Sequence, residues 1–115
     1  MKKILIAEDN DSNYKLMTYI LKNHYEHVRA RNGQEAVDLV DTEAPDLIFM
    51  DIKMPVLNGL EATRLIRKKS SVPIIALTAN AFDTDKEKAI KAGCNEFLSK
   101  PVSSKQYLET IAKYL

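Results

Sequence analysis

The chain has 115 residues, with 17 basic and 16 acidic side chains, two histidines and one cysteine, and an apolar share of 45%. That length suits one domain with a packed core and leaves no room for a second. Nearly balanced charge argues against a nucleic-acid-binding surface or an acidic tail, and a lone cysteine excludes an internal disulfide and a cysteine-rich zinc site.

Lys3 to Ala7 reads as a buried strand with two acids directly behind it. Asp11 to Asn23 reads as a helix, with Leu16, Met17, Ile20 and Leu21 at helical spacing and Asp11 or Ser12 as its cap. Tyr25 to Ala30 is a second strand, and Gly33 to Glu43 a helix with Ala36, Val37 and Val40 on one face. Asp46 to Met50 is a strongly apolar third strand, bounded by Pro45. Gly59 to Lys68 is a third helix carrying Leu60, Ala62, Thr63 and Ile66. Pro73 to Leu77 forms a fourth strand. Asp83 to Ala92 is a charged helix that ends at Gly93, where a left-handed backbone costs least. Glu96 to Leu98 is a short fifth strand. Ser103 to Leu115 closes the chain as a helix, with Leu108, Ile111, Ala112 and Leu115 turned inward. Apolar strands joined by helical crossovers predict a parallel sheet covered on both faces. The pattern does not fix the strand order.

Polar residues fall at matching places along this pattern. Glu8-Asp9 follows the first strand, Asp51 the third, Thr78 the fourth and Lys100 the fifth. Open parallel sheets bind ligands at the carboxyl ends of their strands, so these residues converge on one edge. Three carboxylates brought together repel one another, and a hard divalent cation resolves the repulsion. Mg²⁺ fits best, because it takes one or two direct carboxylates and keeps several waters. Lys100 adds fixed positive charge and Thr78 a hydroxyl donor. Together they suit a phosphoryl group with charge spread over its oxygens, with Asp51 as the nucleophile. Each residue alone has an ordinary reading as a cap or a solvated loop side chain; the joint pattern carries the argument.

Ile4-Leu5-Ile6-Ala7-Glu8-Asp9-Asn10, Met50-Asp51-Ile52-Lys53-Met54-Pro55, Asn58-Gly59, Ala76-Leu77-Thr78-Ala79 and Leu98-Ser99-Lys100-Pro101 stand in order along essentially the whole chain. As a set they resemble the response-regulator receiver domain. The resemblance implies an α/β, flavodoxin-like (βα)5 three-layer sandwich, with a five-stranded parallel sheet in the order 2-1-3-4-5. It implies that Asp51 accepts a phosphoryl group from the phosphohistidine of a histidine kinase or a histidine phosphotransfer domain, docked over the first helix. The expected cofactor is Mg²⁺, with Mn²⁺ as the alternative. The resemblance implies that Asp9 ligates the metal directly and Glu8 through water, with the Lys53 backbone carbonyl completing the protein ligands. Thr78 and Lys100 contact the phosphoryl group, the Lys100–Pro101 bond is cis, and water later resets Asp51. Phe97 takes the aromatic switch position, often Tyr in the family, without a hydroxyl. The fourth helix, fifth strand and fifth helix are the expected output surface.

Asn10 and Asn13, with Ala79-Asn80-Ala81, resemble receivers of hybrid sensor kinases and phosphorelays, with capping as the ordinary reading of the first two. The apolar run at Ile4 to Ala7 is too short for a signal peptide and no stretch approaches a membrane span. The expected setting is cytoplasmic, including the cytoplasmic part of a membrane-bound hybrid kinase. No direct contact with nucleic acid or membrane is expected.

Three rivals compete with this reading. A phosphohydrolase would need an acid two residues after Asp51, where Lys53 stands. An interaction module that had lost phosphorylation would lack one of the five polar residues. A flavodoxin-like cofactor carrier would need a Ser/Thr/Gly loop where Glu8-Asp9-Asn10-Asp11 stands. His24 and His27 are expected at the surface far from the acidic edge, and Cys94 in a turn beside Gly93. The Lys53 side chain is either solvated or turned toward the acids, where it would weaken cation binding.

Overall fold

A computed structural model describes residues 2–79 and 83–115, without the side chains of Asp83 and Thr84. The elements are β1 (Lys3–Ala7), α1 (Asp11–Leu21), β2 (Glu26–Ala30), α2 (Gly33–Glu43), β3 (Leu47–Asp51), α3 (Gly59–Arg67), β4 (Ile74–Thr78), α4 (Asp83–Ala92), β5 (Glu96–Ser99) and α5 (Ser104–Tyr114). The strands form one sheet in the order β2-β1-β3-β4-β5, and every pairing is parallel. This is the flavodoxin-like topology expected above. Asn80 and Ala81 lie outside the described residues. Among the described residues no helix is long and apolar enough to cross a membrane.

The near-continuous apolar strands follow from burial on both faces. Successive side chains point to opposite sides of the sheet, so each strand feeds two cores. Leu5, Ala7, Ile48, Met50, Ile74 and Ala76 pack toward α2, α3 and α4, where Ala36, Val37, Val40, Ala62, Ile66 and Ala89 meet them. Ile4, Ile6, Leu47, Phe49, Ile75 and Leu77 pack toward α1 and α5, against Met17, Leu21, Tyr107 and Ile111. Phe49 is fully buried and meets the Tyr107 ring edge-on, centroids 5.2 Å apart. Burying a side chain of this size stabilises by roughly 1.5–3 kcal/mol.

Three details differ from the sequence reading. The cap of α1 is Asn10, not Asp11 or Ser12: its Oδ1 accepts from the Asn13 N–H at 3.0 Å. β3 and β4 each begin and end one residue later, so Asp51 and Thr78 are the last residues of their strands rather than the first beyond them. The inward face of α5 is also different. Tyr107, Thr110 and Ile111 are buried, whereas Leu108 and Leu115 are 39% and 37% exposed and Ala112 is exposed. Two apolar stripes run along this helix at the same spacing, and the bulkier aromatic one faces the core, where Phe49 offers it a partner. Elsewhere Gly93 ends α4 at φ 117°, a region that favours glycine. Arg67 fastens that turn by donating to the Gly93 carbonyl at 2.8 Å and to Asn95 Oδ1 at 2.8 Å.

Candidate functional site

The register of the sheet assembles the site. Ala7 pairs with Met50, Asp51 with Leu77, and Thr78 with Ser99. Glu8, Asp51, Thr78 and Lys100 therefore emerge side by side at the carboxyl edge. Gly59 lets α3 begin directly against this edge: its N–H donates to the Ile52 carbonyl at 2.8 Å, and a Cβ there would stand 2.3 Å from the Asp51 carbonyl oxygen. Asn58 caps the helix reciprocally with Glu61. The Lys100 N–H donates to the Thr78 carbonyl at 2.7 Å, which fixes the start of the last loop, and the Lys100–Pro101 bond is cis.

Glu8, Asp9 and Asp51 each present a carboxylate oxygen within 4.8 Å of the others. Glu8 is 1% exposed and Asp51 6% exposed, whereas Asp9 faces solvent. Lys100 Nζ lies 3.0 Å from Glu8 Oε1 and 3.0 Å from Asp51 Oδ2. The other oxygens are also engaged: Glu8 Oε2 accepts from the Asn10 N–H at 3.3 Å and Asp51 Oδ1 from the Lys53 N–H at 3.2 Å. Burial and the neighbouring Asp51 raise the Glu8 carboxyl above its ordinary value, against the pull of Lys100. Burial alone would lower Lys100; its bonds to Asp51 and Glu8 outweigh that and raise it. Tyr107, buried beneath the same acids, is pushed up to about 12 by burial and by their charge.

One ammonium thus neutralises part of a cluster of three acids. Hard oxygen donors, excess negative charge and an exposed side at Asp9 fit a hydrated divalent cation such as Mg²⁺. The structure brings together five of the residues singled out in the sequence: Glu8, Asp9, Asp51, Thr78 and Lys100. Thr78 is 5% exposed. Phe97, on the neighbouring strand, is half-buried and packs against the core on the α2–α3–α4 side. The Lys53 side chain is exposed and, among the described residues, forms no ion pair with the acids, in keeping with the solvated alternative. His24 is exposed. His27 is half-buried, with Nδ1 3.2 Å from the Tyr14 hydroxyl. Cys94 is 6% exposed and touches Thr63 Oγ1 at 3.7 Å, so it is a core residue as well as a turn residue. Beside the acids, an open pocket of about 260 Å³ is lined by Glu8, Asn13, Leu16, Lys100, Pro101 and Tyr107, among others.

Sequence reasoning missed Arg29. Its guanidinium lies behind the Glu8-Asp9 loop, with the side chain 12% exposed. An arginine within a strand next to the first one was the available signal.

The sequence model of the response regulator receiver domain matches residues 4–112. The polar-differentiation response regulator DivK of Brucella anthropi is 42% identical over 118 aligned positions, covering 99% of this chain and 96% of DivK. Among solved structures, the receiver domain of the sensor histidine kinase PA1611 from Pseudomonas aeruginosa, with a magnesium ion coordinated in its active-site cleft, superposes with a TM-score of 0.91 at 36% identity, covering 98% of this chain and 96% of that one. A co-crystal of the Saccharomyces cerevisiae histidine phosphotransfer protein Ypd1 with the receiver domain of Ssk1 matches with a TM-score of 0.93 at 36% identity, covering 98% and 88%.

Proposed function

We propose, for a chain that belongs to the response regulator receiver domain family, that Asp51 is the residue that takes up the phosphoryl group. The chain is a receiver domain of two-component signalling, and receiver domains are signalling proteins. What supports Asp51 in particular is the shared contact of Lys100 Nζ with Glu8 and Asp51 at 3.0 Å each, inside a cluster of three acids. Glu8 shares the burial and the Lys100 contact; what sets Asp51 apart is its place as the last residue of the central strand β3.

In this reading Glu8, Asp9, Asp51 and the Lys53 backbone carbonyl hold Mg²⁺ or Mn²⁺. The cation supplies charge neutralisation for the incoming phosphoryl oxygens. Lys100 keeps its contact with Asp51 while the P–N bond of a phosphohistidine breaks and a P–O bond to the Asp51 carboxylate forms. The Thr78 hydroxyl donates to a phosphoryl oxygen. The same groups then assist attack by water, which returns Asp51 to its free form. Thr78 and Phe97 are the contacts that differ between the two states, because a bound group shifts an equilibrium only through such differences. The α4–β5–α5 surface reads them out.

The donor is a histidine kinase or a histidine phosphotransfer domain. The pocket beside the acids opens toward α1, where Leu16 and Tyr19 are 56% and 72% exposed. Exposed apolar side chains clustered at a polar site mark a docking surface. The Asp-Asn-x-x-Asn pattern at residues 9–13 and the likeness to PA1611 and Ssk1 support a phosphorelay or hybrid-kinase setting, on the cytoplasmic side of the membrane.

The test is phosphotransfer. A histidine phosphotransfer domain carrying labelled phosphohistidine should pass its label to this chain with Mg²⁺ present, and not with a chelator or with Asp51→Asn. Label retained on the donor in every arm, across a panel of donors, contradicts the reading.

A further inference from the structure

The loop that carries Glu8 and Asp9 is gripped from behind by one side chain. Arg29 lies on β2 opposite Ile6. Its Nε donates to the Glu8 carbonyl at 3.1 Å and its Nη2 to the Asp9 carbonyl at 3.3 Å. Its Nη1 pairs with Asp11 Oδ1 at 2.8 Å. Its guanidinium carbon lies 4.4 Å from the centroid of the Tyr14 ring, and the Tyr14 hydroxyl is held in turn by His27. One planar group therefore ties two successive carbonyls to the first turn of α1. A lysine ammonium has neither the fork nor the flat face needed for these contacts together.

This geometry has a consequence for the acids. Glu8 and Asp9 must hold like charge within 4.8 Å of Asp51, and a loop free to relax would let them separate. Bringing them back would then cost free energy on every binding event. Groups that orient ligating residues from behind typically change metal affinity by about 10–100-fold when removed.

We propose that Arg29 is a positioning residue for the acidic site: by fixing the backbone of Glu8 and Asp9 it raises the affinity of the cluster for a divalent cation. The inference rests on the reading of these acids as a cation site. It runs against simple electrostatics. A cation near the cluster repels Mg²⁺, so charge alone predicts tighter binding when Arg29 is removed. Asp11 Oδ1, 2.8 Å from Arg29 Nη1, offsets part of that charge, although the same oxygen also pairs with Arg31 Nη1 at 3.5 Å.

Mg²⁺ titration of the intact chain, followed by NMR of the backbone amides of residues 8–11, decides between these outcomes. The variants are Arg29→Lys, which keeps the charge and loses the fork, and Arg29→Ala. Each is first checked for a native amide spectrum. Both should bind Mg²⁺ at least about 10-fold more weakly than the parent chain. Arg29→Lys carries the test if Arg29→Ala does not fold, because it leaves the net charge unchanged. Unchanged or tighter binding in a folded Arg29→Lys overturns the proposal, even where its melting temperature has fallen. If the parent chain itself shows no saturable response to Mg²⁺, the reading of the acids as a cation site fails instead, and the two failures are thereby told apart.

Discussion

Lys100 and Asp51 stand 49 residues apart in sequence and 3.0 Å apart in the fold. The same ammonium contacts Glu8 at 3.0 Å, and both acids are buried. Removing the ammonium leaves two carboxylates facing each other with no fixed countercharge among the described residues. Loss of one partner from a fully buried pair costs about 3–5 kcal/mol. Lys100 is partly exposed and Glu8 can take up a proton, so Lys100→Met should lose about 1–3 kcal/mol in metal-free buffer. Urea melts with and without Mg²⁺ check this. The gap should narrow when a cation replaces the missing charge, because a ligand that binds only the folded state stabilises it. A gap that widens with Mg²⁺ contradicts the assignment.

Gly59 is the second point of close approach. A methyl group there would meet the Asp51 carbonyl oxygen at 2.3 Å, and that oxygen belongs to a central strand that cannot yield cheaply. Gly59→Ala should therefore lower stability by about 1–3 kcal/mol, the usual range for overpacking. It should also shift the amide resonances of Asp51 and Ile52, which a purely local effect on α3 would not do.

Val56 adopts φ 67° while 82% exposed, and the Leu57 N–H closes a tight turn around it onto the Pro55 carbonyl at 2.7 Å. Branched side chains pay roughly 1–2 kcal/mol in this region, and glycine gives back about 0.4–1 kcal/mol through its freer unfolded chain. Val56→Gly should thus be neutral to stabilising by up to about 1 kcal/mol. A clear loss in a thermal melt would mean that the exposed side chain makes a contact of its own.

Alkaline pH should weaken the fold from about the ordinary thiol value of 9.0 upward. Burial raises the Cys94 thiol, burial and the nearby acids raise Tyr107 to about 12, and Lys100 is raised because its carboxylate contacts outweigh burial. In all three cases the unfolded chain releases its proton first, so stability falls as pH rises. The contribution of Lys100 is fully present below 10.5 and is lost as pH passes through its raised value. Urea midpoints across the alkaline range should decline steadily, and Cys94→Ala should remove the earliest part of the decline. A midpoint that rises with pH contradicts this sign.

The layering and the acidic edge were legible because they depend on coarse features. Strand-length runs such as Leu47 to Met50 can be satisfied only by burial on both faces, and charged or hydroxyl residues at strand ends stand out against them. The strand order was not legible from periodicity, since β1 lies between β2 and β3 through pairings that no local pattern encodes. It entered through the resemblance of the motifs. The α5 face was misread because Leu108 and Leu115 share a helical spacing with Tyr107 and Tyr114, and only the position of Phe49 decides between them. Capping was the ordinary reading of Asn10, but Asp11 and Ser12 beside it have equally good capping chemistry, so the sequence did not decide which residue caps α1. Arg29 was passed over because two of its partners are the Glu8 and Asp9 backbone carbonyls, which carry no sequence signature, and an arginine within a strand was the one sign of it.

The most direct measurement is the intact mass of the chain after incubation with acetyl phosphate and Mg²⁺, for the parent and for Asp51→Asn. One phosphoryl group should appear on the parent, and none on the variant or in the presence of a chelator. A parent that stays unmodified, or an Asp51→Asn chain modified as fully as the parent, would contradict the account.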